Sequence, residues 1–201
     1  MAYFNKAYLT EHKELLKELE FIESSKGLKW FSPTHKPMDA DQICLNAPVE
    51  YKDDPSFGAG YFDVANNAFI RLTPDGNVSI PNLSSKEVHS WVLCDIFIGT
   101  TFEKIFNELA SIFRLGRVRL MKSKPGACMT WHKDPITRIH YPIKTQPGCL
   151  MIIQDEVMQL PLEEWYLTNT TVFHTALNGS KEPRIHLVAD LLPEPEKFFD
   201  F

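Results

Sequence analysis

Two stretches of the chain repeat apolar residues at the spacing that places them on one face of a helix. The first stretch ends before Gly27, a residue suited to terminating a helix. Its apolar members are Leu15, Leu16, Leu19 and Ile22. The second stretch follows Thr100 and Glu103, which fit a capping box, and stops before Gly116. Its apolar members are Ile105, Phe106, Leu109, Ile112 and Phe113. We predict two helices, each of which packs one apolar face against a sheet.

Strand patterns dominate the second half of the chain, where short apolar runs alternate with turns that contain Pro or Gly. The runs that predict strands are residues 118–121, 127–134, 148–153, 165–167, 170–173 and 184–188. Turns are predicted at residues 124–126, which read Lys-Pro-Gly, and at Asn178-Gly179.

Between the two predicted helices, the pattern of apolar and polar residues is less regular. Residues 68–72 and 78–80 are apolar and β-branched, and they flank the Pro-Asp-Gly-Asn sequence of residues 74–77, so they predict a hairpin. Residues 30–55 are rich in Pro and Asp and have little periodicity, which predicts a loop.

The order of these elements indicates the fold class. Helices come first and antiparallel strands follow, an arrangement typical of a mainly β protein with flanking helices (α+β) and a double-stranded β-helix, or jelly-roll, core of cupin-like type. We expect residues 1–201 to form a single domain. Within it we predict an N-terminal helical and strand support region (1–115), a jelly-roll catalytic core (116–192) and a C-terminal tail (193–201).

Composition and charge narrow the class of protein. The hydrophobic fraction of 44% supports a sizeable core, and the net charge of −5 argues against nucleic acid as a partner. No charged start followed by an apolar stretch is present, nor an apolar run of about 18 residues, so we expect a cytoplasmic protein with no membrane partner. The four cysteines lack metal-binding or disulfide-framework spacing and predict reduced thiols in the core.

The candidate chemistry lies in the strand-rich half. In an extended segment His132 and Asp134 point to one side while the residue between them points away. Together with His174, they offer the two imidazoles and one carboxylate that suit a non-haem Fe(II) oxygenase, with ligand positions left open. Arg184 is a candidate for binding a co-substrate acid, because a planar guanidinium takes a carboxylate through two parallel hydrogen bonds.

These residues also carry a family resemblance. The run from Arg117-Val118-Arg119-Leu120 through Pro125-Gly126, His132-x-Asp134, Arg138-x-His140 and His174 to Arg184 resembles the aspartyl/asparaginyl β-hydroxylase family. That family is a branch of the Fe(II)/2-oxoglutarate dioxygenases and includes relatives that act on free proline. The resemblance covers roughly residues 115 to 192. Some members have Gly at the position of the carboxylate ligand, whereas this chain has Asp134.

The resemblance implies a function and a set of roles. His132, Asp134 and His174 would be the catalytic iron ligands, and Arg184 would bind the distal carboxylate of 2-oxoglutarate. Arg138 and His140 would lie beside the co-substrate and substrate carboxylates. The implied reaction is hydroxylation of an amino acid or a peptidyl residue of Asp, Asn or Pro type, with O2 as co-substrate, succinate and CO2 as co-products, and ascorbate as a supporting reductant. The sequence does not indicate an oligomeric state.

Alternative interpretations of the same residues remain open. His132 and Asp134 could form a surface ion pair, and His174 could be a hydrogen-bonded core histidine. Arg184 could be a solvated strand residue that pairs with Glu182 or another acid, and Arg138 or His140 could serve packing. Trp131 is predicted to fill the core, and His186 shares the face of Arg184 without another identifying feature. At the level of function, the alternatives are a non-catalytic jelly-roll binding module and a zinc or other metal-dependent hydrolase.

Overall fold

The computed structural model describes residues 2–32, 40–63, 66, 68–73, 76–81, 83 and 87–193. The helices are α1 (Leu15–Lys26) and α2 (Thr101–Ile112), and short 3-10 helices cover Val49–Tyr51, Glu87–Ser90 and Asp95–Phe97. The first strands are β1 (Phe4–Ala7), β2 (Asp41–Cys44), β3 (Asn46–Ala47), β4 (Gly60–Asp63), β5 (Ala68–Thr73), β6 (Gly76–Pro81) and β7 (Val92–Leu93). The remaining strands are β8 (Leu115–Ser123), β9 (Thr137–Lys144), β10 (Cys149–Ile153), β11 (Glu156–Met158), β12 (Trp165–Thr168), β13 (His174–Asn178) and β14 (Arg184–Leu191).

Two sheets form the core of the fold. The major sheet has the strand order β1-β12-β9-β14-β8-β2, and the minor sheet has the order β11-β10-β13. The pairings within both sheets are antiparallel. From β9 onward the chain passes between the sheets, with β9, β12 and β14 in the major sheet and β10, β11 and β13 in the minor one. This alternation confirms the predicted jelly-roll, or double-stranded β-helix, core.

The two faces of the major sheet have opposite character. Along β14, Ile185, Leu187 and Ala189 belong to the large hydrophobic core that also contains the buried side chains of α1 and α2. The alternate residues of β14 are buried on the other face, and they include the ionisable side chains of Arg184, His186 and Asp190. Because strand side chains alternate between faces, the helices cover one side of the sheet and leave the other to line an interior cavity.

Both predicted helices are confirmed. Gly27 follows α1 with a φ of 69°, a left-handed conformation that glycine adopts without a steric penalty. At the start of α2, Glu103 accepts a hydrogen bond from the backbone of Gly99, but Thr100 turns its hydroxyl back to the carbonyl of Phe97. The predicted capping box is therefore wrong in detail, because Glu103 bonds to the residue before the N-cap and Thr100 bonds to Phe97.

The predicted hairpin is confirmed as the β5–β6 pairing, to which β4 adds along the other edge of β5. Residues 74 and 75 of the predicted turn lie outside the described residues, as do residues 194–201 of the predicted tail. Among the described residues, no helix has the length and apolar character needed to cross a membrane.

The predicted loop at residues 30–55 is wrong in its middle. β2 lies there as a buried strand paired with β8, and β3 pairs with β7. The four residues of β2, Asp-Gln-Ile-Cys, are buried on both faces, so they show no alternation that a sequence pattern could reveal. Their strand conformation follows from pairing with a partner distant in the chain.

Two other predicted strands are also wrong. Residues 170–173 form turns and bends, because Thr171 donates from both its backbone and its hydroxyl to the Asn169 side chain. Such local bonds favour a turn over a strand. Residues 127–134 run beside β13 but form only isolated bridges with it, Cys128 to Leu177 and His132 to His174.

The cysteines differ from the prediction at one position. Cys44, Cys94 and Cys149 are buried free thiols, whereas Cys128 is exposed, because it lies on the irregular segment beside β13 rather than in the core.

Candidate active site

The three candidate metal ligands meet where the irregular segment crosses the start of β13. His132 and His174 form an antiparallel bridge in which each backbone N–H donates to the other's carbonyl, at 3.0 and 2.9 Å. This bridge holds the two imidazole rings 4.3 Å apart between centroids. Asp134 follows His132 by two residues, and its backbone N–H donates to the carbonyl of Thr170 at 2.8 Å. One ligand atom from each of the three side chains can be chosen so that all lie within 4.8 Å of one another.

Hydrogen bonds to backbone carbonyls fix the orientation of both rings. Nδ1 of His132 lies 2.7 Å from the carbonyl oxygen of Thr130, and Nδ1 of His174 lies 3.0 Å from that of Val172. A carbonyl can only accept, so Nδ1 donates in each ring, and Nε2 is the ring atom left to face a metal ion. Both Nε2 atoms face Asp134, at 3.9 Å from its Oδ1 for His132 and 3.2 Å from its Oδ2 for His174.

This donor set fits a divalent metal ion. It consists of one nitrogen from each of two imidazole rings and one carboxylate oxygen, which lie close enough together to share one ion. Such a set on one side of an ion leaves the opposite positions free, as in the facial arrangement of non-haem iron sites. The pKa of Asp134 lies below its ordinary value, because Arg138 and His174 outweigh the effect of burial, which alone would raise it. The carboxylate is therefore ionised near neutral pH.

A buried network of charges lies behind Asp134. Nη2 of Arg138 donates to Oδ1 of Asp134 at 2.9 Å, and its Nη1 lies 2.7 Å from Oδ2. The Nε of the same arginine donates to Asp190, also at 2.9 Å. Arg117 and Arg119 each approach Asp190 at 3.3 Å. Burial opposes ionisation of Asp190, but the three arginines outweigh it and hold its pKa well below the ordinary value.

A cavity between the two sheets lies beneath the candidate ligands. Its apolar wall includes Met121, Met129, Met151 and Val188, and its polar groups include His140, Arg184 and His186. These three polar side chains are buried, and several of their nitrogens have no hydrogen-bond partner. The atoms concerned are both ring nitrogens of His140, Nε and Nη1 of Arg184, and Nε2 of His186. Unpaired buried polar groups are costly, so this end of the cavity is suited to a polar ligand.

Burial lowers the pKa of all three polar side chains of the cavity, Arg184, His140 and His186. It lowers the pKa of Arg184 to about 10, where the guanidinium remains charged at neutral pH. The pKa of His140 is lowered to about 3 by burial and then by Arg138 and Arg184. The pKa of His186 lies well below 6.5, because its ring is buried and because the charge of Arg184 lies nearby. Arg184 therefore presents a positive charge beside two neutral imidazoles.

An outer cleft of about 340 Å³ opens on the other side of the ligands. His132, Asp134 and Arg138 line it together with Tyr61 of β4 and Arg119 of β8. His174 lines the inner cavity, and Arg138 reaches both. The candidate metal ligands therefore border both the outer cleft and the inner cavity, which contains the buried guanidinium of Arg184.

The structure brings together the residues singled out from the sequence. Arg184 does not pair with Glu182, which instead contacts Lys144 at 3.3 Å. Trp131 does not fill the core, because its side chain is 48% exposed and stacks on Phe173 with an interplanar angle of 2°. The expectation that Arg138 contacts the co-substrate stays a prediction, since its guanidinium already contacts two carboxylates.

Sequence reasoning missed Asp190 and treated Arg117 and Arg119 only as part of a motif. A signal was present, because charged residues alternate with apolar ones along both strands, as in Arg117-Val118-Arg119-Leu120. When the apolar face of such a strand is buried under helices, the charged face must line either solvent or a polar interior.

Comparisons with known proteins agree with the geometry. A sequence profile of the family described as Aspartyl/Asparaginyl beta-hydroxylase matches residues 100–193. The L-proline cis-4-hydroxylase of Rhizobium meliloti (strain 1021) is 30% identical over 78 residues, which cover 36% of this chain. The match spans only 28% of that relative's length. The resemblance predicted from the sequence is therefore confirmed for this part of the chain.

Two solved structures are similar to parts of this chain. The first is an oxidoreductase of the 2OG-Fe(II) oxygenase family from Burkholderia pseudomallei, with a TM-score of 0.49 and 11% identity over 93% of this chain and 82% of that one. The second is a cupin domain from Bordetella pertussis, with a TM-score of 0.34 and 20% identity over 38% of this chain and 81% of that one.

Proposed function

Starting from the aspartyl/asparaginyl β-hydroxylase pattern of residues 100–193, we propose that this protein is an Fe(II)- and 2-oxoglutarate-dependent oxygenase. Its reaction converts a C–H bond of an amino acid or peptidyl residue, together with 2-oxoglutarate and O2, into the corresponding alcohol, succinate and CO2. One structural observation supports the proposal most directly. Two imidazoles and a carboxylate converge beside a cavity in which Nε and Nη1 of the buried Arg184 have no hydrogen-bond partner among the described residues.

His132, Asp134 and His174 would hold the iron through two Nε2 atoms and one carboxylate oxygen. Bound there, iron would supply the oxygen-activating chemistry that an unactivated C–H bond requires and that no side chain can provide. The Nδ1 bonds to backbone carbonyls would keep the rings aimed at one point, and Arg138 would keep the carboxylate beside them.

Arg184 would orient the co-substrate. Its buried charge lines the inner cavity but not the outer cleft, and its Nε and Nη1, which have no hydrogen-bond partner among the described residues, can donate to a carboxylate. Fixing the distal carboxylate there would direct the keto-acid end toward the candidate metal ligands in a single orientation. His140 would offer one N–H from its neutral ring to an oxygen of the same molecule.

Side chains must move to admit this molecule. The free volume of the cavity is only about 30 Å³, and Met121, Met129 and Met151 form part of its wall. Methionine is unbranched and flexible, so these side chains can shift without displacing the strands that carry them. The apolar wall would then close around the co-substrate and exclude bulk water from the reacting groups.

The substrate would approach from the outer cleft. Tyr61, Arg119 and Arg138 line this cleft beside the candidate metal ligands. We therefore propose an amino acid or a peptide segment as the substrate class, and the name of the proline hydroxylase relative makes free L-proline the first compound to test.

The decisive assay measures succinate. Purified protein is supplied with Fe(II), 2-oxoglutarate, ascorbate and O2, with free L-proline, other amino acids or peptides that contain Asp, Asn or Pro. We expect succinate formation that depends on iron and O2 and is lost in His174→Ala and Asp134→Ala. Well-metallated protein that forms no succinate with or without these compounds would overturn the proposal.

The same experiment separates the two alternative functions. A metal-dependent hydrolase would turn over a substrate with zinc and without O2 or a keto acid. A binding module would retain ligand affinity in Asp134→Ala, because its ligand would not depend on a metal.

A further inference from the structure

His186 is a buried imidazole to which the proposed reaction has so far given no role. It lies two residues after Arg184 on β14 and is 3% exposed. Its ring stands edge-on to that of His140, with centroids 5.8 Å apart and an interplanar angle of 84°. Nε2 is buried and has no hydrogen-bond partner. A buried nitrogen without a hydrogen-bond partner has lost its contacts with water and gained no other contact in exchange. Such an atom is costly to the fold unless a ligand pairs with it.

The position of His186 in the cavity indicates which ligand group could pair with its Nε2. Residues 184 and 186 share a face of β14, and both side chains line the cavity whose other wall contains Met151 and Ala176. Arg184 brings a positive charge and the unpartnered atoms Nε and Nη1 to this place. An anion bound by Arg184 would therefore lie on the same side of the sheet as Nε2 of His186.

The two cavity histidines differ in their surroundings. His140 lies two residues after Arg138 on the same face of β9, and the guanidinium of Arg138 contacts the candidate ligand Asp134. For His186 the lowering of the pKa comes from burial, Arg184 and His140. Because His186 lies two residues after Arg184 on the same face of β14, it lines the part of the cavity next to Arg184, and its neutral ring carries one N–H that can be donated.

We infer that His186 donates a hydrogen bond from Nε2 to the carboxylate bound by Arg184, and is thereby a second residue that selects a dicarboxylic keto acid. This inference rests on the proposed function. Arg184 supplies the positive charge that attracts the carboxylate. The neutral ring of His186 adds one N–H, which can donate to a lone pair of the carboxylate that the guanidinium does not use.

The test compares two ligands that differ at one end only. 2-Oxoglutarate and 2-oxopentanoate share the keto-acid group, but 2-oxopentanoate ends in a methyl group. Their dissociation constants are measured by calorimetry with Mn(II)-loaded protein in the absence of O2, so that no turnover occurs. For His186→Leu we expect 2-oxoglutarate binding to weaken by roughly 10- to 100-fold, as for loss of a hydrogen bond to a charged group. The affinity for 2-oxopentanoate should stay within about two-fold, since this ligand lacks the group His186 contacts.

Two further variants sharpen this comparison. His186→Asn keeps an N–H donor and should restore part of the preference for 2-oxoglutarate. Lys144→Met removes a charge outside the lining of either cavity, so the ratio of the two affinities should remain that of the wild type. His186→Leu should also melt at or above the wild-type temperature, because a buried unpaired nitrogen is replaced by an apolar group.

The outcomes separate this inference from the function on which it rests. If Arg184→Met abolishes the preference for 2-oxoglutarate while His186→Leu leaves the ratio unchanged, the inference about His186 is overturned and the proposed function stands. If His186→Leu weakens both ligands equally, its effect is not on the distal carboxylate and the inference is again overturned. If the metal-loaded wild type binds neither keto acid, the proposed function falls and the inference falls with it.

Discussion

Arg138 holds Asp134 from behind the candidate metal centre. Its Nη2 donates to Oδ1 at 2.9 Å, and its Nη1 lies 2.7 Å from Oδ2. Because Nε also donates to Asp190, the guanidinium is anchored on a neighbouring strand, and β9 and β14 place the two residues opposite each other in register. The carboxylate that faces the imidazoles is therefore positioned by a buried side chain that is itself fixed.

Replacing Arg138 should weaken metal binding. In Arg138→Met, Asp134 loses the partner that orients it, and removal of such a supporting contact typically costs about 10- to 100-fold in metal affinity. Titration with Co(II), followed by its visible absorption bands, measures the affinity and the coordination geometry together. Lys144→Met is the matched control, because it removes the exposed ion pair with Glu182 and should leave both readouts unchanged. Equal Co(II) affinity in wild type and Arg138→Met would contradict the positioning role.

Replacing Asp190 should destabilise the fold. The side chain is 2% exposed and is the shared partner of Arg117, Arg119 and Arg138. In Asp190→Asn, three buried guanidinium groups lose a negative charge, and a broken buried ion pair costs about 3–5 kcal/mol of unfolding free energy. Urea unfolding at neutral pH measures this loss. A decrease below about 1 kcal/mol, the range of surface pairs, would show that the network is not energetically coupled.

Metal should stabilise the wild type through its three ligands. At a free Mn(II) concentration about 100-fold above the dissociation constant, binding to the native state adds about 2.7 kcal/mol of stability. For a chain of this length that corresponds to a rise in melting temperature of roughly 5–10 °C. A chelator should reverse the rise, and Asp134→Ala or His174→Ala should abolish it. A metal-induced shift that survives in both variants would place the ion elsewhere.

Acid should destabilise the metal-free protein because two histidines are buried in neutral form. Burial, followed by Arg138 and Arg184, lowers the pKa of His140 to about 3. The pKa of His186 lies well below 6.5, again mainly because of burial. Both rings titrate near pH 6.5 when unfolded, so below that value the unfolded chain binds more protons and unfolding becomes more favourable.

The expected loss is up to about 1.4 kcal/mol per pH unit for each histidine between roughly pH 6.5 and pH 4. Urea unfolding of the chelator-treated protein at several pH values in this window gives the slope. In His186→Leu, the slope of unfolding free energy against pH should be smaller by the contribution of one histidine. Identical slopes in the variant and the wild type would show that His186 is not buried in neutral form.

Trp131 should report metal binding by its fluorescence. Its ring is half-exposed, stacks on Phe173 and adjoins His132 in the chain. Paramagnetic Co(II) at the candidate site should therefore quench its emission, and Trp131→Phe should lose most of the metal-dependent change while retaining Co(II) affinity. If the quenching is unchanged in Trp131→Phe, another tryptophan senses the ion.

Part of the candidate site could be read from local pattern alone. The alternation of Arg184, His186 and Asp190 with apolar residues on β14 is a property of a strand wherever it packs. Likewise, the apolar stripes of α1 and α2 and the left-handed Gly27 depend on interactions between near neighbours. The identities of the two histidines and the aspartate at the candidate metal centre followed from their chemistry and spacing.

Other parts depended on which distant segments meet. The strand β2 exists because β8 offers it hydrogen-bonding partners, and residues 170–173 turn because Asn169 and Thr171 bond to each other. The partnership of Arg138 with Asp190 required β9 and β14 to be adjacent and in one particular register.

The sequence by itself therefore determined the helices, the two-faced strands and the residue types able to bind a metal ion and a carboxylate. Tertiary structure decided that His132 and His174 share a bridge, that Asp134 is held by Arg138, and that His186 faces the cavity of Arg184. The physical reason is that periodicity specifies which face of an element is buried but not what covers it. Pairing between segments far apart in the chain is selected by the packing of the whole fold.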